Sequence, residues 1–128
     1  MNKLSKSIKA KDLFLEFVTA LNGILKLSMK KLLVLAKIVE IDYNTLARPG
    51  ISKNVISTSN RKIIMRDCNI TSDNLSRLLT SFKAAGYIIK GVIEDEWVVN
   101  KALIPKVIRD RVQITIILKT DSNDTTKK

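Results

Sequence analysis

Histidine is absent from this chain of 128 residues, and cysteine occurs once. Without imidazole there is no Ser-His-Asp or Cys-His nucleophile system, and a lone thiol builds neither an internal disulfide nor a zinc site of sulfur and imidazole ligands. Cys68 is therefore expected to be a small apolar residue of the core. Acidic residues are also scarce, 12 against 23 lysines and arginines, which leaves a formal charge of +11. Clustered catalytic carboxylates, a glycine-rich phosphate loop and a metal constellation are all missing, and Asp110, between Arg109 and Arg111, reads as surface charge. No enzyme activity, cofactor, metal or small-molecule substrate is expected.

Long apolar runs are lacking as well. The most apolar region, residues 21–41, contains Lys26, Lys30, Lys31, Lys37 and Glu40, each costly in hydrocarbon, so no membrane span is expected. At the start, Lys3, Lys6, Lys9 and Lys11 resemble the charged end of a signal peptide. Asp12 and Glu16 interrupt the apolar stretch that should follow, however, and the expected compartment is the cytoplasm.

What is present suits one globular domain: 45% hydrophobic and 27% charged residues supply a core and lie outside the range of disordered chains. The pattern divides into a basic arm (residues 1–11), a domain (residues 12–119) and a polar tail (residues 120–128). Leu13, Leu15 and Phe17 alternate as a strand does, while Phe14, Phe17, Val18 and Leu21 have helical spacing; the reading adopted is a strand to Phe17 and then a short helix. Asn22-Gly23 suits a hairpin turn and a helix C-cap equally.

Ser28 caps a core helix ending near Glu40, with Met29, Leu32, Leu33, Leu35, Ala36 and Val39 on its apolar face and Lys30, Lys31 and Lys37 outside. Asp42, Tyr43, Asn44 and then Arg48-Pro49-Gly50 read as a turn-rich connection, and Val55-Ile56 as a very short strand. Residues 57–59 offer caps for a helix over 60–68, with Ile63 and Ile64 inward and Arg61, Lys62 and Arg66 toward water. Thr71 or Ser72 caps the next helix, where Leu75, Leu78, Leu79 and Phe82 form an i, i+3, i+4, i+7 stripe that Gly86 closes.

Beyond Gly86 the period changes to that of strands. Residues 87–93 and 97–100 read as a hairpin with an acidic tip, Glu94-Asp95-Glu96, and Trp97 beside it as hairpin packing. Residues 112–118, Val-Gln-Ile-Thr-Ile-Ile-Leu, with Val112 first and Leu118 last, are the richest in β-branched side chains and are expected to form a further strand.

The junction of the second and third helices is the most informative segment. Its turn needs a residue tolerant of positive φ, an apolar plug and a cap, and Asn69, Ile70 and Thr71 supply them in that order. The third helix is apolar on one side and carries short hydroxyls, an amide, an arginine and a lysine on the other. Arg77 suits guanine, Asn74 adenine, and the hydroxyls phosphates or bases. Asp73 favours the helix dipole but opposes phosphate.

The order of features resembles a family, the winged-helix replication proteins of bacterial plasmids and phages of the RepL-like kind, and more loosely the MarR-type regulators. The likeness spans roughly residues 13–105. It rests on Leu-Ser-Met-Lys-Lys-Leu-Leu-Val-Leu, on Asp42-Tyr43-Asn44, and on Val-Ile-Ser-Thr-Ser-Asn-Arg before the second helix. Ala-Ala-Gly-Tyr-Ile-Ile-Lys and Val-Val-Asn-Lys-Ala-Leu-Ile-Pro around the hairpin complete it. The resemblance implies an α+β winged helix-turn-helix, a three-helix core with a β-hairpin wing, to which residues 112–118 add a C-terminal strand. It further implies that Ser72, Asn74, Ser76, Arg77, Thr80 and Lys83 face double-stranded DNA. Arg61, Lys62 and Lys90, with Lys3, Lys6 and Lys9 of the arm, are the expected accessory contacts.

Replication initiation or transcription control is the function this reading implies. The alternative is a structural or assembly protein, such as a phage-particle component, that uses the same fold for protein contacts and forms homo-oligomers through residues 112–118.

Overall fold

The computed structural model describes residues 5–46, 54–93 and 96–120. Among these the chain is α+β, with five α-helices and two two-stranded antiparallel sheets. A 3-10 turn, Ala10–Asp12, leads into α1 (Leu13–Ala20), α2 (Asn22–Leu25), α3 (Met29–Leu46), α4 (Thr58–Cys68) and α5 (Ser72–Ala85). Strands β1 (Ile88–Lys90) and β2 (Trp97–Val99) form one hairpin; a 3-10 turn, Lys101–Leu103, separates it from β3 (Val107–Ile108) and β4 (Arg111–Val112).

The expected strand ending at Phe17 is a helix. Phe17 and Val18 are consecutive and both buried, which one face of a helix permits and a strand with a single face on the core does not. The α1 helix packs along α3, and Phe14 meets Tyr43 edge to face with ring centroids 5.4 Å apart. Asn22-Gly23 forms neither expected structure, because these residues open α2. The left-handed residue is Lys26 (φ 56°), held by the Asn22 side chain, which accepts from Leu27 N–H at 2.8 Å and donates to Leu27 C=O at 3.1 Å.

Helix α3 is the centre of the domain, burying Leu32, Val34, Leu35, Ala36, Ile38 and Val39. Ser28 Oγ accepts from Lys31 N–H at 3.4 Å at its start, as the sequence suggests. Its end lies beyond the expected stop near Glu40, since Asp42, Tyr43 and Asn44 are helical. Tertiary contacts outweigh their turn preference: Tyr43 has the Phe14 ring, and the buried Asp42 carboxylate accepts from Val99 N–H at 2.8 Å.

That last bond ties the hairpin to the helical layer. The β1–β2 register pairs Ile88 with Val99, Ile89 with Val98 and Lys90 with Trp97, and Ile88 and Val99 enter the core. Val55 and Ile56 form a turn, not the expected strand, although Val55 N–H donates to Trp97 C=O at 2.9 Å and both residues are buried. Glu96 does not project from an acidic tip. It is 8% exposed and folds against Gly91, where an added Cβ would lie 2.7 Å from Glu96 Oε1. Glu94 and Asp95, like Arg48-Pro49-Gly50, lie outside the described residues.

The expected strand over residues 112–118 shrinks to β4, whose Val112 pairs with Val107. Extending that register would set Ile114 opposite Pro105, which has no N–H to donate, so the ladder stops. Ile114 leans on the core, while Ile116, Ile117 and Leu118 are exposed.

Helices α3 and α4 are joined by charge. Lys37 Nζ lies 2.8 Å from Asp67 and 3.3 Å from Glu40, and Arg66 Nε lies 2.8 Å from Asp67. Lys37 is thus partly covered and does not stand clear in solvent as expected. Cys68 is likewise only half-buried; its thiol donates to Leu33 C=O at 3.8 Å, and burial pushes its pKa up. Among the described residues no helix is long and apolar enough to cross a membrane.

Two tests follow from these ties. Asp42→Ala strands a buried N–H and should lower unfolding free energy by about 2 to 3 kcal/mol, with Asp42→Asn losing less because an acceptor oxygen remains; guanidinium titration compares them. Hydrogen bonds from Arg66 and Lys37 lower the Asp67 pKa to about 2 from an ordinary 3.8. A carboxyl depressed in the folded state adds stability that is full above its ordinary value and lost as pH falls through the folded one. The melting temperature of the native protein should therefore exceed that of Asp67→Asn above pH 4, and the gap should close between about pH 4 and pH 2.

Candidate nucleic-acid interface

The surface built around α5 begins with α4. Ser57 Oγ accepts from Asn60 N–H at 3.2 Å, satisfying one open donor at the start of that helix. At the other end Asn69 takes the left-handed conformation (φ 51°), and Ile70, 8% exposed, donates its N–H to Met65 C=O at 3.1 Å. Thr71 Oγ1 then caps α5 by accepting from Asn74 N–H at 3.3 Å. The three roles read from Asn69, Ile70 and Thr71 are filled in the expected order.

Leu75, Leu78, Leu79 and Phe82 are buried, which fixes the rotation of α5 about its axis. Gly86 (φ 81°) closes the helix, and Asn100 Nδ2 donates to Gly86 C=O at 3.0 Å, so the hairpin is attached where the helix stops. Ser72, Asn74, Ser76, Arg77 and Thr80 are consequently exposed. Thr80 Oγ1 donates to Ser76 C=O at 3.0 Å, leaving its lone pairs outward. Asp73 is exposed on the same helix, in its first turn.

Asn74 and Arg77 do not stand alone. With Ser81 they form one wall of a groove of about 310 Å³, Ser28, Lys30 and Lys31 form the other, and Ile70 and Leu78 contribute the apolar lining. Three cations, an amide and two hydroxyls therefore converge between the start of α3 and the outer side of α5. Such donors match phosphate oxygens and base edges, and none of the three cations has an ion-pair partner among the described residues.

The remaining expected contacts are dispersed. Arg61 is half-buried, its Nε donating to Ile56 C=O at 2.9 Å, which makes it a brace for the segment before α4. Lys62 is exposed on α4. Lys6 Nζ is bound to Glu16 at 2.8 Å, Lys9 is exposed, and Lys3 lies outside the described residues. Lys83 and Lys90 reach the Trp97 ring, at 4.3 and 5.4 Å from its centroid. The sequence places Lys30 and Lys31 on an outer face and Ser28 at the helix cap without assigning them to the site, and it does not single out Ser81. Their proximity to α5 is a product of packing, and no local pattern encodes it.

No family model, no curated protein and no solved structure matches this chain.

The turn that aims α5 is open to substitution. Asn69→Gly should keep or slightly raise stability, while Asn69→Val, which carries a β-branched side chain into left-handed space, should cost about 1 to 2 kcal/mol. Thermal unfolding of the two variants measures the difference.

Proposed function

We propose that the chain is a winged-helix protein that binds double-stranded DNA, with α5 as the helix laid in the major groove and the β1–β2 hairpin as the wing. One observation carries the reading: the groove in which Asn74 and Arg77 of α5 face Lys30 and Lys31 of α3. On a chain of charge +11 this is a cationic cleft with base-reading side chains beside phosphate-binding ones. Exposed Ser72, Ser76 and Thr80 extend the polar face of α5, and Lys9 and Lys62 add positive charge outside it. The resemblance to plasmid and phage replication proteins supports the same reading and suggests replication initiation or transcription control as the task.

Fluorescence anisotropy on duplexes tests it. Log affinity should fall linearly with log salt, and Lys30→Gln and Lys31→Gln should each flatten that slope by about 0.9. Arg77→Ala should cost about 1 to 3 kcal/mol more on a duplex selected for tight binding than on its scrambled counterpart. Equal losses on both would reduce Arg77 to a phosphate contact, and absence of binding at low salt would overturn the proposal.

A second reading, an assembly protein, is favoured by the exposed Ile116, Ile117 and Leu118, which offer β-branched and apolar side chains to another copy. Light scattering over a range of protein concentrations without DNA distinguishes them: a constant monomer mass excludes assembly through these residues, and a rising mass that Ile117→Lys abolishes supports it.

A further inference from the structure

We infer that Lys83, Trp97 and Lys90 form a phosphate clasp where the turn-side end of the β1–β2 ladder meets the last turn of α5, in which the indole holds two ammonium groups in position for the backbone of a bound duplex. This rests on the DNA-binding reading above and adds to it a second cationic edge of α5 and a positioning role for Trp97.

Three elements meet there. Lys83 belongs to the last turn of α5, and Lys90 and Trp97 are direct partners across the β1–β2 ladder, which puts their side chains on one face of the hairpin. Lys83 Nζ lies 4.3 Å and Lys90 Nζ 5.4 Å from the centre of the same half-buried ring. Each ammonium is attracted by the π face, an interaction strongest with tryptophan. The two positive charges nevertheless repel each other, and among the described residues neither has an acidic partner.

Lys37 shows how this domain treats a lysine that serves the fold: two carboxylates surround it. Lys83 and Lys90 are instead gathered on one ring with no ion-pair partner among the described residues, an arrangement that an anion bridging them would relieve. A free lysine also loses considerable rotamer entropy when fixed on a ligand, and the indole has already restricted both.

The location suits a backbone phosphate. At 3.6 residues per turn, Lys83 is rotated about a third of a turn around α5 from Arg77, so it lies on the edge of the exposed face away from the Lys30 and Lys31 groove. A helix with cations along both edges matches a major groove about 12 Å wide with a phosphate backbone on each side. Of the acidic residues in the hairpin, Glu96 is buried and is not ion-paired with either lysine, and Glu94 and Asp95 lie outside the described residues.

Trp97 is the only tryptophan, so its emission reports on the clasp directly. The full chain is titrated with a mixed-sequence duplex of about 20 base pairs, following the anisotropy of labelled DNA and the Trp97 emission together. The emission should change saturably with the midpoint given by anisotropy. Lys83→Gln and Lys90→Gln should each lower the salt slope by about 0.9 and together abolish the emission change. Trp97→Leu should weaken binding about two- to fivefold, with Trp97→Phe, which keeps a ring face, recovering part of the loss. A role confined to hairpin packing would move melting temperatures without moving the slopes. Duplex binding with native slopes in both lysine variants overturns the clasp and leaves the DNA-binding reading intact; absence of duplex binding by the native protein overturns both.

Discussion

The buried bond between the Asp42 carboxylate and Val99 N–H, 2.8 Å long, sets the relation between the helices and the hairpin. A carboxylate in the last third of the core helix is costly to desolvate and is retained where charge-assisted hydrogen bonding compensates. Fixing Val99 fixes β2; β2 then receives Val55 N–H on Trp97 C=O and pairs with β1, so the segment before α4 and the outer strand take their positions from it. The orientation of α4, and through the Asn69 turn that of α5, is thereby coupled to one acidic side chain on α3.

Charge is distributed unevenly between the inside and the outside of the domain. Asp42 and Glu96 are buried, Glu16 holds Lys6, and Asp67 and Glu40 hold Lys37. Asp42 and Asp67 thus join elements of the domain, and Glu16 ties the arm to α1. Among the described residues Lys30, Lys31, Arg77, Lys83 and Lys90 have no ion-pair partner, so part of the excess of +11 is concentrated around α5.

The segment from Ser57 to Gly86 was readable from sequence because its rules are local: hydroxyl caps at Ser57 and Thr71, a left-handed asparagine at 69, a stripe from Leu75 to Phe82 and a closing glycine. The errors arose where a distant partner decided the outcome. Phe17 and Val18 are helical because α3 offers one surface to both, and Asp42 stays in the helix because Val99 needs an acceptor. Residues 112–118 have the composition of a strand but only a two-residue partner ending near a proline. Of the candidate groove, Asn74 and Arg77 are visible in the sequence as the polar side of an amphipathic helix, whereas Lys30 and Lys31 are 43 or more positions away from Asn74 and join it only through packing.

The stop imposed by Pro105 on the second hairpin has a thermodynamic counterpart. With two residue pairs, β3 and β4 open at little cost, so their amides should exchange with solvent through small local fluctuations. The Val99 amide, held by a buried carboxylate, should exchange only when the domain unfolds as a whole. The two hairpins, only a few residues apart in the chain, should therefore differ in amide exchange, the C-terminal ribbon opening locally while the β1–β2 hairpin stays closed.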